Sequence, residues 1–401
     1  MKASTIVLAI AVLVGGVSAF LLRVSGKMPD LDVYLRAGQR AAAAEPLYRA
    51  DDGHYQFKYL PAFAILAAPL AILPPPVARP VWFTVSVAAL GFLLLVGWKL
   101  LPDLRGASAL SAASPHGPPR PVPATSLAEA YGGGLIVALT VVVLAKFFAR
   151  ELVLGQVNAM FALAAAAALL AMRHRKNATA GALIALAIVL KPYGAVLLPW
   201  LACRRRRTTV VTAIGGLALA LAAPSMVYGL ARTLSLHRDW WTTVVTTTEP
   251  NLTNPDNVSW LAMYTRLLGE TSPWPEVLAL ATVIAAVAVF VLVWQRRDGL
   301  PFPEGLEGSL LLLWIPFVSP QGWDYVLLVA TPAVMYVLAL QHQLPVVVRI
   351  LSLLALVVTA LTIYDVIGRT AYLAFLSASG LTIAFAFVAA GLVTLRLRRV
   401  A

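Results

Sequence analysis

RHRKNATAGALIALAIVLKPYGAVLLPWLACRRRR, residues 173–207, carries a basic cluster at each end of an apolar stretch. In membrane proteins Lys and Arg mark the loops kept on the cytoplasmic side. Both ends of this stretch therefore belong on one face, and the chain must enter and leave by that face. Proline breaks a helix interior, so the turn falls near Lys191-Pro192-Tyr193. The arms, 178–190 and 193–203, are each shorter than the roughly 20 residues that cross a bilayer. That length suits a hairpin whose tip stops inside the membrane.

The composition places the whole chain in the same solvent. Hydrophobic residues make up 60% of the 401 positions and charged residues 12%, and the mean hydropathy is +0.83. A soluble fold covers its surface with about 25% charged residues. Soluble enzyme, secreted module and disordered regulator are therefore excluded. The net charge of +13 does not point to nucleic acid, because the basic residues sit in short loops between apolar runs, where they act as topology signals. The lone cysteine, Cys203, can form neither an internal disulfide nor a cysteine-rich metal site.

Outward from the hairpin, long apolar runs fall at Ser4–Leu22, 79–101, 129–148, 156–172, 208–230, 276–295, 323–341, 345–364 and 371–395, with a further short one at 306–318. Val17-Ser18-Ala19 gives the first run the look of a signal peptide. Its length favours a retained helix, and the count needs it. Basic loops at Arg173 to Lys176, Arg204 to Arg207, Arg296-Arg297 and Arg396/Arg398/Arg399 mark the cytoplasmic side. The expectation is an all-α polytopic membrane protein of one domain, 1–401, with about twelve membrane helices and both termini inside.

That count puts 23–78 outside as the first outer loop. Residues 60–74, interrupted by Pro61, Pro69 and Pro74, read as a helix on or dipping into the outer interface. Reading them as a span would invert everything after and place the Arg173 cluster outside. The segment 102–128, rich in Pro, Ala and Ser, reads as a cytoplasmic linker.

Polar residues that are not loop markers then gather on the outer side. The first outer loop holds Asp30, Asp32, Tyr34, Arg36, Lys58 and Tyr59. The next turn holds Arg150, Glu151, Gln156 and Asn158, and the hairpin tip holds Lys191 and Tyr193. The long loop 231–275 includes Asp256, Asn257, Ser259 and Arg266, and a later turn includes Ser319, Gln321, Trp323, Asp324 and Tyr325. Ionisable groups at membrane depth are costly and usually functional, so the convergence indicates a site at the outer boundary. Each group also has an ordinary use: Asp30 and Asp32 as solvated carboxylates, Lys191 as a snorkelling side chain, and Gln156 and Asn158 as helix caps. Trp240, Trp241, Trp260 and Trp274 read as an aromatic belt, and His54 and His237 as surface histidines. No metal-ligand, nucleophile-elbow or phosphate-loop motif is present in the sequence.

Several runs carry a family resemblance. Pro29-Asp30-Leu31-Asp32-Val33-Tyr34, Pro46-Leu47-Tyr48, Phe57-Lys58-Tyr59-Leu60-Pro61-Ala62-Phe63-Ala64 and Pro69-Leu70-Ala71 resemble the first outer loop of glycosyltransferase family 87. Gly155-Gln156-Val157-Asn158, Lys191-Pro192-Tyr193, Asn257-Val258-Ser259, Arg266-Leu267-Leu268-Gly269 and Ser319-Pro320-Gln321-Gly322-Trp323-Asp324-Tyr325 follow in the same order as in that family. Two departures bear on donor and acceptor identity rather than reaction class. Val258 stands where relatives have Gln, and Asp324-Tyr325 follows the Trp where many have His.

The resemblance implies a GT-C-like membrane enzyme of the bacterial plasma membrane. Its reaction moves a sugar, mannose first, from a polyprenyl-phosphate donor to a hydroxyl of a lipid or glycan acceptor on the outer face. The sugar could instead be arabinose or glucose, the acceptor could be a protein, and a flippase or transporter of polyprenyl-linked lipid is the non-enzyme alternative. The family motif places the catalytic aspartate at Asp30, with Asp32 the alternative. It would act as general base with inversion, and burial should raise its pKa. One of Lys191, Arg36, Lys58 or Arg266 would bind the donor phosphate, Lys191 foremost. Tyr34, Tyr59, Gln156, Asn158, Tyr193, Asn257, Ser259, Gln321, Trp323 and Asp324 complete the implied substrate site. No cofactor and no metal are expected.

Overall fold

A computed structural model describes residues 14–102, 133–296 and 302–397. Residues 4–13 of the opening run, 103–128 of the linker, Arg297, Arg398 and Arg399 lie outside the described residues. Among the described residues the chain is helical and holds no strand. An isolated antiparallel bridge joins Asn257 to Trp323.

The chain opens with α1 (Val14–Val24) and α2 (Pro29–Ala42). Pro29 suits a first helical turn because its ring presets φ and its missing N–H is not needed there. Asp30 and Asp32 follow in that turn, where the helix dipole favours carboxylates. The next helix, α3 (Pro61–Ala71), has 11 residues, about 16 Å of rise, far short of a bilayer core. It packs along α2 in the same direction, with Tyr34 on Phe63 and Gly38 against Ala67. A Cβ at Gly38 would meet the Ala67 backbone at 2.9 Å, so only glycine permits this approach.

Then come α4 (Pro75–Leu100), α5 (Gly133–Leu154), α6 (Asn158–Arg173) and α7 (Asn177–Leu190). A 3-10 turn, Pro192–Val196, leads into α8 (Leu197–Cys203) and α9 (Arg207–Ala222). The break falls at Lys191, whose backbone is extended. Gly181 of α7 lies against Thr209 and Thr212 of α9, and Ala185 lies against Gly216. The two helices therefore run in the same direction. The segment 191–206 must return to the level at which α7 began, which is the hairpin expected from the flanking arginines.

The remainder is α10 (Leu230–Thr246), α11 (Trp260–Leu268), α12 (Trp274–Gln295), α13 (Pro303–Val318), α14 (Thr331–Leu340), α15 (Val346–Leu361), α16 (Arg369–Ser377) and α17 (Gly380–Leu397). Among the described residues five helical stretches are long and apolar enough to cross a membrane: Pro75–Leu100, Arg207–Tyr228, Trp274–Gln295, Asp324–Gln343 and Gly380–Leu397. The apolar window of Asp324–Gln343 is 89% buried, against 11% in Arg207–Tyr228 and Trp274–Gln295. The first is thus the centre of the bundle, and the other two turn apolar faces outward, as lipid-facing helices do.

The basic loops converge at one end. Arg173 donates to the carbonyls of Lys99 and Leu101 at 2.6 and 2.8 Å. Glu307, buried on α13, accepts from Trp200 at 3.0 Å, from Arg396 at 3.1 Å and from Arg204 through both oxygens. Arg206 pairs with Glu304. The opposite end, where α5 and α7 finish and α2 and α6 begin, encloses a cavity.

Candidate active site

The cavity is about 830 Å³, within the size range of small-molecule sites. One wall comes from the start of α2, with Pro29, Asp30 and Val33, and from the loop carrying His54, Lys58 and Tyr59. The hairpin tip adds Lys191 and Tyr193, and α10 adds an apolar face of Trp240, Trp241, Val244 and Val245. Trp240 fixes that face to the first wall by donating to the Lys58 carbonyl at 3.2 Å. The far wall holds Asn254, Asp256, Ser319, Gln321, Trp323 and Tyr325, with Arg150 beside them.

Beneath Asp30 lies a dense polar layer. Gln156 is buried, and its Oε1 accepts from Tyr34 at 3.1 Å, Tyr59 at 3.3 Å, Lys191 at 3.4 Å and Asn158 at 3.4 Å. That many donors fix the amide orientation. Its Nε2 donates to Tyr325 at 3.3 Å. The hydroxyls of Tyr34 and Tyr59 are 2.7 Å apart. Lys191 donates to Tyr59 at 2.9 Å and lies 4.6 Å from its ring centre, a favourable cation–π distance. Tyr193 donates to Asn158 at 3.0 Å.

Burial raises the Asp30 carboxyl above the ordinary carboxylate range. Lys191, the Gln156 amide, Lys58 and His54 act in the opposite direction. Burial lowers the Lys58 ammonium, and Asp30 counters it. Among the described residues no hydrogen bond engages the Lys58 ammonium, so its charge faces the cavity free of a protein acceptor.

The sequence reading groups more residues than the cavity gathers. Asp32 points away and pairs with Arg79 at 3.1 Å. Arg36 shares Asp52 with Arg40, at 3.1 and 2.5 Å. Arg266 donates to the Asn254 carbonyl and to Ser379, at 3.1 and 2.8 Å. Asn257 is buried and clamps the Pro320 carbonyl at 2.8 Å. Ser259 caps α11 through the Ala262 amide at 3.1 Å. Asp324 is buried against Arg150 at 2.7 Å. Tyr34, Gln156 and Asn158 lie under the cavity rather than on its surface.

Two residues that the sequence reading leaves without a role organise the site. Arg150 donates to Asp256 and Asp324, each at 2.7 Å, and stands over the Tyr325 ring at 5.5 Å. Glu151 is fully buried, accepting from the Ala159 amide at 2.7 Å and from Asn158 at 2.9 Å. It therefore caps α6 from the preceding helix, the ordinary alternative use of Gln156 and Asn158. The Gln156 amide is committed to the tyrosines and Lys191, and Asn158 to Tyr193 and Glu151. The available sequence signal was an Arg-Glu pair at the end of an otherwise apolar helix.

Gly155 sets the distance between these layers. Its φ is +70°, and a Cβ there would lie 2.9 Å from the Leu31 Cβ, beside Asp30. Gly155→Ala is expected to lose about 1–2 kcal/mol from the left-handed backbone alone, with the contact adding more. Thermal unfolding in detergent checks this.

The sequence model of glycosyltransferase family 87 matches residues 57–320, about two thirds of the chain. The matched stretch begins after Asp30 and Asp32 and contains Lys58, Gln156, Lys191 and the Ser259 segment. No curated protein and no solved structure matches the chain. With a bundle that is helical throughout the described residues, and with the profile match running through most of the cavity's walls, the chain belongs to glycosyltransferase family 87.

Proposed function

We propose that this membrane glycosyltransferase moves a sugar, mannose foremost, from a polyprenyl-phosphate donor to a hydroxyl of a lipid or glycan acceptor. It would work in a GT-C-like arrangement of about twelve membrane helices, with the cavity on the extracytoplasmic face of a bacterial plasma membrane. The observation that carries this is the meeting of one half-buried carboxylate, Asp30, with two ammonium groups, Lys58 and Lys191, beside the apolar α10 face. The segregation of basic loops to the opposite end supports the orientation.

In this mechanism Asp30 takes the acceptor hydroxyl proton as that oxygen attacks the sugar C1. The bond from C1 to the phosphate oxygen breaks, and its electron pair leaves with the polyprenyl phosphate. Lys58 and Lys191 meet the charge that develops there. The prenyl chain leaves the cavity along Trp240, Trp241, Val244 and Val245. One displacement inverts the anomeric centre. Asp30 rather than Asp32 takes the proton because the Asp32 carboxylate is held by Arg79. Of the four proposed phosphate ligands, Lys58 and Lys191 stand in the cavity lining, while Arg36 and Arg266 are engaged elsewhere.

The test is the full chain in vesicles supplied with a radiolabelled polyprenyl-phosphate sugar. Label appearing in an acceptor with inverted linkage supports the reading. Label that crosses the bilayer still attached to its lipid identifies a flippase and overturns it.

The pH profile has a defined sign. A base must be ionised, so a raised Asp30 pKa places the acid limb of kcat/KM above the ordinary carboxylate range, with activity lost as pH falls through it. Lys58→Gln removes a positive charge that favours ionised Asp30. The limb should then move to higher pH, and an unmoved limb would separate Lys58 from Asp30.

A further inference from the structure

We propose that the cavity has an anion end and a polyol end, and that Asn254, Asp256, Ser319, Gln321 and the face of Trp323 form the acceptor subsite, built for a neutral headgroup bearing adjacent hydroxyls. This rests on the transferase reading above and assigns its second substrate.

The charges are unevenly divided. Lys58 and Lys191 gather with Asp30 around Tyr59 and Gln156. The cations of the far wall are each engaged by protein: Arg150 by Asp256 and Asp324, Lys146 by Thr362, and Arg266 by the Asn254 carbonyl and Ser379. None of them faces the cavity as Lys58 does, and the Asp256 carboxylate there disfavours a phosphate. Tyr325 joins the ends: its hydroxyl accepts from Gln156, and its ring lies parallel to Trp323 at 6.3 Å and 7°.

Among the described residues the polar atoms of the far wall have fixed identities and partners. Thr248 spends its hydroxyl proton on the Val244 carbonyl at 2.8 Å. What reaches Thr248 from Gln321 at 2.9 Å is therefore an N–H, which leaves Gln321 Oε1 as a free acceptor. Asn254 Oδ1 accepts the Asp256 amide at 2.9 Å, which leaves its NH2 as a free donor. Asp256 gives Oδ2 to Arg150, which leaves Oδ1 as a second acceptor. Acceptor, donor and acceptor on one wall suit hydroxyls, which both give and take hydrogen bonds. The flat Trp323 surface suits the C–H face of a ring that carries them.

The wall is also rigid. The Val258 amide donates to the Gly322 carbonyl at 2.7 Å, and the Asp324 amide donates to the Asp256 carbonyl at 2.9 Å. Asn257 reaches the Pro320 carbonyl. These links staple the loop before α11 to the turn after α13, so binding need not order them.

The test compares the wild-type chain, Gln321→Ala and Lys58→Gln in detergent. Binding of methyl α-mannoside and myo-inositol is read by saturation-transfer NMR, and that of inorganic phosphate by broadening of its phosphorus-31 line. Gln321→Ala is expected to weaken a polyol about fivefold, the size of one net hydrogen bond, and leave phosphate unchanged. Lys58→Gln should do the reverse. In the transfer assay Gln321→Ala should raise the acceptor KM by a similar factor and leave the donor KM alone. A raised donor KM with an unchanged acceptor KM, or polyol binding indifferent to Gln321, overturns the assignment. The binding arm does not depend on turnover. A chain that holds the polyol through Gln321 yet transfers no sugar refutes the transferase reading and leaves the polyol site standing.

Discussion

Asp30→Asn should reduce sugar transfer by at least about 10³-fold, within the range that a positioned general base contributes. The substitution preserves shape and leaves Tyr34, Tyr59, Gln156 and Lys191 in place, so the amount of folded protein should stay near that of wild type. It removes the only feature of that side chain that the reaction needs, an ionised oxygen able to accept a proton. The donor KM should change little, because the phosphate is held by lysines. Asp32→Asn is the internal control. That carboxylate pairs with Arg79 with its side chain 41% exposed, and its loss should leave turnover within about threefold, as for exposed ion pairs of small energy. The reverse pattern, with Asp32→Asn dead and Asp30→Asn active, would move the base to Asp32.

The second large effect lies at the other end of the molecule. Glu307→Ala should destabilise the fold by about 3–5 kcal/mol, the usual consequence of removing one partner of a buried ion pair. Glu307 is fully buried, as is Arg396, and Arg204 is largely so. Alanine would take the Glu307 acceptor from Arg204, Arg396 and the Trp200 indole N–H, with Arg396 keeping the Arg296 carbonyl. The loss should appear as a lower unfolding temperature in detergent and a smaller yield of folded protein. Glu307→Gln, which keeps an acceptor oxygen, should fall between. A Glu307→Ala chain as stable as wild type would mean that water or another acceptor replaces the carboxylate.

Much of the fold is written in local sequence. Apolar runs set the helices, Pro192 sets the break after α7, and paired arginine clusters set the direction of the return. Those signals lie within a turn or two of the residues they govern. The site is less legible, and the reason is separation along the chain. Asp30, Lys58, Tyr59, Lys191 and Trp323 stood out because ionisable and aromatic groups are scarce in so apolar a chain. Arg36 and Arg266 stood out for the same reason, yet they bond Asp52, the Asn254 carbonyl and Ser379. Nothing in local pattern separates an arginine awaiting a phosphate from one already engaged. Glu151 shows the converse: it serves a helix N-terminus that lies beyond its own helix, whereas capping rules assign that task to the residues beside the terminus.

The hairpin also has a history during synthesis. Its arms are too short to partition individually as full spans, and Trp200 and Arg204 emerge from the ribosome more than 100 residues before Glu307, their acceptor. The tip meets partners that are already made, Tyr59, Gln156 and Asn158, while the root waits for α13. A chain truncated before α13 would keep every residue of the cavity's lysine end and still lack the fastening at the hairpin's root.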